Sequence, residues 1–231
     1  MTEKPNALFG CRLNPIALSE LLLIALLAMS SALPAQGYHE GFENPDTANQ
    51  ALHGVLILDR TGEWTGRVEG GRYTLENRGD AGSVRYLYVN PGKRTWRDPG
   101  KRISVEVGGI FHGSDYPSGA GLIFRFDPAE RHYLAFLIQD GANYGLYSRD
   151  EDGLRMVMGG SHSAIKESRN KLGILTRGDD FDLMINGEKV GSYGTSSIQG
   201  RGVGLIAVGL GRFEYDNFIL PDAETSVPLA A

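Results

Sequence analysis

Phe181-Asp182-Leu183-Met184-Ile185-Asn186-Gly187-Glu188-Lys189-Val190-Gly191-Ser192-Tyr193 decides the fold class of this chain. Positions 181, 183 and 185 are apolar while 182 is charged, the period of two of a strand with one buried face. Asn186-Gly187 follows at once, and both residues tolerate the positive φ of a two-residue hairpin turn. A second strand returns over 189–193. A slip of one residue would bury Asp182, so the register is well specified.

The same chemistry recurs on both sides of this hairpin. Residues 71–77, 83–90, 102–111, 120–127, 133–140 and 143–149 read as strands from their β-branched and aromatic content. Residues 154–158, 171–177, 181–186, 189–193, 203–208 and 213–220 complete the set. Asp140-Gly141, Asp152-Gly153 and Gly178-Asp179-Asp180 supply turns between them. In Ile103-Ser104-Val105-Glu106-Val107 the odd positions are again the core set. Residues 122–126 and 134–138 are apolar almost throughout, which predicts strands covered at least partly on both faces. Outside one N-terminal run, no window of twelve residues holds an apolar period of 3.6. So many strands predict an all-β fold of two packed antiparallel sheets, one domain over 36–220. Residues 44–54 read as loop or a short helical turn, and 221–231 as a flexible C-terminal tail.

Composition narrows the function classes. The chain has 231 residues, 41% hydrophobic and 22% charged, which is ordinary for a globular protein. Its 32 glycines are scattered rather than periodic, which excludes collagen and fits many tight turns. The net charge of −5, with no dense Lys/Arg cluster, argues against nucleic acid as a partner. Residues 21–29 read Leu-Leu-Leu-Ile-Ala-Leu-Leu-Ala-Met, followed by Ser30, Ser31, Ala32, Leu33, Pro34 and Ala35. That run is too short for a hydrocarbon core of roughly 30 Å. It matches the apolar region of a secretory signal peptide over 1–35, cleaved after Ala35 or, as second choice, Ala32. The expected location is secreted, periplasmic or extracellular, and the mature chain is not an integral membrane protein. Cys11, the one cysteine, precedes the apolar run, so no lipid anchor and no disulfide is expected. The core alone must then hold the fold, which a domain of this size can do.

A resemblance refines the architecture. Tyr133-Leu-Ala-Phe136-Leu-Ile138, Asp140-Gly141 and Tyr144-Gly-Leu146-Tyr147 are followed by Asn170-Lys-Leu172-Gly-Ile174 and Gly178. The hairpin of the opening paragraph comes next, then Gly202-Val-Gly-Leu205 and Phe213-Glu-Tyr-Asp216-Asn217-Phe218. Phe42 and the stretch from Trp64 to Leu75 look like opening strands. In order and spacing, these pieces resemble the concanavalin A-like lectin/glucanase superfamily over about 38–220. The closest likeness is to laminin-G-like and 3-keto-disaccharide-hydrolase-type domains. The resemblance implies a two-sheet jelly roll and leaves the activity open, because the scaffold hosts enzymes, lectins and interaction modules.

Candidate chemistry is sparse. A glycosidase needs paired carboxylates on one strand face. The family-16-type glucanases that the resemblance brings in carry Glu-x-Asp-x-x-Glu, which Glu214-Tyr215-Asp216 begins and Ile219 breaks. His39, His53, His112, His132 and His162 are dispersed, without zinc spacing, and no metal site is assigned. No cofactor is expected beyond a structural calcium that Glu40 or Glu43 could share with Asp216. The face opposite the core is more informative. If Leu122, Phe124 and Phe126 point inward, Arg125 points away, and Tyr133, Gln139, Tyr147, Arg149 and Glu106 share its side. Aromatic rings, guanidinium and carboxylate on one sheet surface suit a saccharide or glycoconjugate, though cross-strand pairing on a solvated sheet would explain them equally. The leading expectation is a secreted non-catalytic carbohydrate-binding module. The alternatives are a 3-keto-disaccharide-type hydrolase and an extracellular protein-interaction or adhesion domain.

Overall fold

In the computed structural model the alternating segments pair into two antiparallel sheets. Residues 38–44, 46, 56–89, 101–113, 117–195 and 197–220 are described. The expected signal peptide, the C-terminal tail and most of 44–54 lie outside the described residues.

The strands in chain order are β1 (Tyr38–Glu40), β2 (Arg60–Thr61), β3 (Trp64–Val68), β4 (Tyr73–Asn77), β5 (Val84–Val89) and β6 (Arg102–His112). Then come β7 (Gly119–Asp127), β8 (His132–Gln139), β9 (Asn143–Asp150), β10 (Gly153–Ser161) and β11 (Arg169–Arg177). β12 (Asp180–Ile185), β13 (Glu188–Gly194), β14 (Gly202–Val208) and β15 (Leu210–Leu220) finish the set, and a 3₁₀ turn, Asp140–Ala142, joins β8 to β9. A nine-stranded sheet runs β13-β12-β11-β6-β15-β4-β3-β2, with β1 on β15 beyond the end of β4. A six-stranded sheet runs β10-β9-β8-β7-β14-β5. Hairpins build β7–β10 and β11–β13, and the other connections from β4 onward pass between the sheets. This is the expected all-β antiparallel jelly-roll sandwich.

The core is the set that alternation selects. Ile103, Val105 and Val107 of β6 and Phe181, Leu183 and Ile185 of β12 are all buried between the sheets. Leu122, Phe124, Leu134, Phe136 and Leu146 meet them from the six-stranded side. Each such side chain contributes about 1.5–3 kcal/mol on burial. Phe124 meets Phe181 edge-on with centroids 5.0 Å apart, and Trp64 and Phe111 flank Phe213. Two buried phenols tie one sheet to the other. Tyr215 Oη donates to the Ile206 carbonyl at 2.7 Å, and Tyr144 Oη to that of Val190 at 3.0 Å. As expected, β7 and β8 are buried on both faces.

Strand β7 departs from strict alternation. Arg125 has φ 51°, and β7 carries one extra residue against both neighbours between Ile123 and Asp127. That bulge reverses two assignments. Phe126, expected in the core, lies on the outer face of the six-stranded sheet. Arg125, expected on that outer face, turns into the end of the sandwich and is 1% exposed. Its Nη1 donates to the carbonyls of Thr195 and Ile198, and its Nη2 to those of Gly178 and Asp179. The guanidinium carbon lies 5.5 Å from the Phe181 ring centre, a cation–π contact in a dry setting. Arg125 is therefore a structural clamp.

Glu106 is also misplaced by the face argument. It lies on β6, in the nine-stranded sheet, because the chain changes sheets between β6 and β7. Arg169 Nη1 stands 3.8 Å from Glu106 and 3.1 Å from Asp216. Asp182 points outward as alternation requires, yet is only 3% exposed, because Arg177, Lys189 and Ser192 close over it. Burial pushes its pKa up, and the bonds from Lys189 and Ser192 with the Arg177 charge outweigh this, leaving it below the ordinary carboxylate value.

Two outcomes follow for stability. Arg125→Met leaves buried loop carbonyls without a donor, each at about 1–3 kcal/mol, so urea denaturation should show a loss of about 3 kcal/mol or more. Asp182 has a lowered folded-state pKa, so its stabilisation is complete above the unfolded value of about 3.9 and is lost as pH falls through the folded value. Melts across pH 2–7 should therefore show Asp182→Asn less stable than the parent at neutral pH, with the gap closing below about pH 4.

Candidate functional site

Strands β8 and β9 pair so that Tyr133 faces Arg149, Ala135 faces Tyr147, Leu137 faces Gly145 and Gln139 faces Asn143. Period-two alternation then sets all eight on the outer side of the six-stranded sheet. The structure thus brings together four of the expected site residues, Tyr133, Gln139, Tyr147 and Arg149. It does not bring Arg125 or Glu106 to them.

The middle of this face is closed. Ile123, Ala135, Leu137 and Ile206 form a second apolar cluster, each 0–1% exposed. Tyr133, at 2%, and Tyr147, at 8%, belong to the same cluster, so neither stands on an open aromatic surface. At one end Tyr86, Tyr88, Phe126 and Tyr133 pack with tilted rings, Phe126 edge-on to Tyr88 at 4.6 Å and centred 4.9 Å from Tyr86. Burial raises the Tyr133 phenol pKa, and the Arg149 guanidinium bonded to it pulls it part of the way back.

The other end is polar. Gln139 Nε2 donates to Tyr147 Oη at 2.9 Å. A Cβ on Gly145 would come within 2.5 Å of the Tyr147 ring and 2.8 Å of Gln139 Oε1, so only glycine lets the ring lie down there. Burial holds the Tyr147 phenol above its usual pKa, so at neutral pH it keeps its own proton to donate.

Two clefts meet at Gln139 and Asp140. One, of about 430 Å³, opens between β6 at Gly109–Phe111, the 3₁₀ turn and residues 165–170. The other, of about 370 Å³, is lined by Ser118, Gln139, Asp140, Asn143 and Met156 with Gly159 and Gly160. The turn is held from within. Gly141 N–H donates to Asp140 Oδ1 at 2.9 Å, and Asn143 Nδ2 donates to the Asp140 carbonyl at 2.9 Å. Gln139 Oε1, Asp140 Oδ2 and Asn143 Oδ1 are left as acceptors without a protein donor among the described residues. Met156, 60% exposed, provides an apolar wall beside them.

Asp140, Asn143 and Met156 were not among the residues that the face argument selects. Asp140-Gly141 carries a turn signal, and a turn between two strands that share a face is itself a place for ligand contacts. That signal is present in the sequence.

The carboxylates of the glucanase-like fragment are occupied elsewhere. Glu214 lies 3.1 Å from Arg212 and 3.5 Å from Arg72, while Asp216 bonds to Arg169 and accepts from Asn217 N–H at 2.7 Å. Of the residues named for calcium, Glu40 accepts from Phe42 N–H at 2.7 Å and is buried, which raises its pKa. Among the described residues no three His, Cys, Asp or Glu side chains gather within reach of one ion.

No family model and no curated protein matches the sequence. Solved structures do share its fold. A functionally unknown protein from Saccharomyces cerevisiae is similar at 15% identity over 75% of this chain and 96% of that one, with a TM-score of 0.53. A Bacillus subtilis protein of unknown function with a galectin-like fold is 12% identical over 80% of this chain and 94% of that one, also at 0.53. The carbohydrate-binding module CBM66 of Bacillus subtilis is 15% identical over 68% and 90%, at 0.48. At these identities the likeness is one of fold alone.

The packing of Tyr147 leads to a graded outcome in thermal melts. Tyr147→Ala should destabilise toward the low end of about 3–5 kcal/mol, as Phe136→Ala does toward the high end. Tyr147→Phe, which removes only the bond from Gln139, should cost about 1 kcal/mol. A Tyr147→Ala protein that melts like the parent would show that the ring does not belong to the second cluster.

Proposed function

We propose that this chain is a non-catalytic carbohydrate-recognition module, whose ligand occupies the cleft at Gln139, Asp140 and Asn143. The observation that carries this reading is the group of three acceptor oxygens without protein donors beside the exposed Met156, in a cleft of about 370 Å³. A ligand for such a cleft brings several hydroxyl donors and one apolar face, and a sugar ring has both. The volume falls in the range of small-molecule sites. Ser118, whose hydroxyl donates to the Leu210 carbonyl at 2.6 Å, lines its border, and Tyr147 holds Gln139 from behind by accepting its Nε2 bond.

The likeness to laminin-G-like and 3-keto-disaccharide-hydrolase-type domains agrees with an extracellular sugar ligand. Export is part of the proposal, and the apolar run 21–29 with the small residues after it supports it. The hydrolase alternative uses Glu106 or another groove carboxylate; Glu106 belongs to the other sheet, beside Arg169, and the carboxylate that lines the cleft among the described residues is Asp140. The adhesion alternative draws on the outer face of the nine-stranded sheet, where Arg72, Arg212 and Arg169 pair with Glu214 and Asp216.

A glycan array with the mature chain tests the reading. A retained saccharide should bind about tenfold or more weakly to Gln139→Ala and to Asn143→Ala, since each loses one or two ligand bonds of about 1 kcal/mol or more. Both residues sit at the surface end of their strands, so melts should stay within a few degrees of the parent. An array without hits, or unchanged affinity in both variants, overturns the proposal.

A further inference from the structure

On the outer face of the nine-stranded sheet most charges among the described residues are paired. Arg67 is paired with Glu69, Arg212 with Glu214, Arg169 with Asp216, and Arg177 and Lys189 with Asp182. Arg102, Lys166 and Lys171 have no carboxylate within salt-bridge distance among the described residues. These three cations line one concavity of about 330 Å³, together with Ser104 and Asn186, and no acid among the described residues lines it.

Each cation comes from a different part of the fold: Arg102 from β6, Lys171 from β11, and Lys166 from the connection between β10 and β11. Two asparagines hold the second and third of these in place. Asn186 Nδ2 donates to the Ala164 carbonyl at 2.7 Å and to Asn170 Oδ1 at 2.8 Å. Asn170 Oδ1 accepts from Lys166 N–H at 2.8 Å, and its Nδ2 returns a bond to the Lys166 carbonyl at 2.9 Å. Asn186 also accepts from Lys171 N–H at 2.8 Å. The backbones that carry Lys166 and Lys171 are thus fixed to the hairpin turn at Asn186-Gly187, whose φ of 51° at Asn186 suits that turn. The nearest acid by register, Glu106, lies opposite Lys171, and Arg169 stands 3.8 Å from its carboxylate. Glu167, next to Lys166 in sequence, lines the 430 Å³ cleft, which Lys166 also borders, and does not line this concavity.

We propose that this concavity binds a tetrahedral oxyanion, a phosphate or sulfate group, through Arg102, Lys166 and Lys171, with Ser104 as a further donor. Three like charges held around one hollow repel each other, and an anion relieves that repulsion while accepting charge-assisted bonds. The site lies on the nine-stranded sheet and is independent of the saccharide cleft at Gln139. The group arrives either as a free ion or as an ester on a larger molecule.

Calorimetric titration of the chain with inorganic phosphate and with sulfate, at constant low ionic strength set by chloride, tests this. Saturable binding is expected, weakened at least tenfold in Arg102→Gln/Lys166→Gln/Lys171→Gln and in the single reversal Lys171→Glu. Arg78→Gln, which removes an exposed cation on another turn, should leave it unchanged. A second arm compares a monosaccharide sulfate with its unsulfated parent and with inorganic sulfate. Tighter binding of the ester identifies an ester-borne group, and equal binding of the inorganic ion identifies the free ion. No saturable binding, or an equal loss in Arg78→Gln, overturns the proposal. The neutral-glycan affinity of Lys171→Glu, at a residue that lines neither cleft at Gln139, should match the parent, so failure here and failure of the saccharide cleft are read separately.

Discussion

A guanidinium buried at the end of the sandwich sets much of its shape. Arg125 is removed from water, and a buried charge needs hydrogen-bond partners, which its Nη1 and Nη2 have. Its partners are carbonyls from the β11–β12 turn at Gly178 and Asp179 and from the β13–β14 connection at Thr195 and Ile198. To reach them, the backbone adopts φ 51° at a non-glycine residue, a conformation that costs about 1–2 kcal/mol. Charge-assisted bonds to several carbonyls offset that cost. The same bulge turns Phe126 outward, against Tyr86, Tyr88 and Tyr133. One extra residue in β7 therefore closes one end of the core and builds the aromatic end of the outer face.

Much of the fold was legible in local pattern. Phe181, Leu183 and Ile185 are core, Asn186-Gly187 is the turn, and the apolar strands β7 and β8 are covered on both sides. These readings need only period and turn chemistry, which act over a few residues. The bulge at Arg125 was not legible, because Leu122-Ile123-Phe124-Arg125-Phe126 is apolar almost throughout and has no glycine or proline to mark a break. Nor was the sheet to which Glu106 belongs, since that depends on a crossover whose partners, β11 and β15, lie far along the chain. Half of the candidate cleft was hidden for another reason. Face alternation points to Gln139, and to Asn143 only once its pairing is known, and Asp140 lies in the turn, where alternation gives no direction.

The two outer faces differ in how their side chains are matched. The six-stranded sheet presents aliphatic side chains at its centre, and these are buried. The nine-stranded sheet presents charges, and most are matched across strands. Matched surface pairs contribute little and leave nothing for a ligand to satisfy. What remains are positions where matching fails: the acceptors at the β8–β9 turn and the cations around Asn186.

Both positions sit at hairpin turns stabilised by asparagine, and that has a physical basis. A strand interior spends its backbone groups on two neighbours and its side chains on cross-strand pairs, so ligand contacts there must displace existing ones. At a turn the ladder ends, and a side chain that bonds to the local backbone fixes geometry while keeping an oxygen or a nearby cation available. Asn143 fastens the 139–143 turn through the Asp140 carbonyl, and Asn186 fastens Lys171 and the segment that carries Lys166. Each asparagine makes its turn rigid enough to hold neighbouring polar groups in one arrangement. Such preorganisation lowers the ordering cost of binding. In this sandwich, the turns rather than the sheet faces are thus the places where recognition is least opposed by the packing that holds the fold.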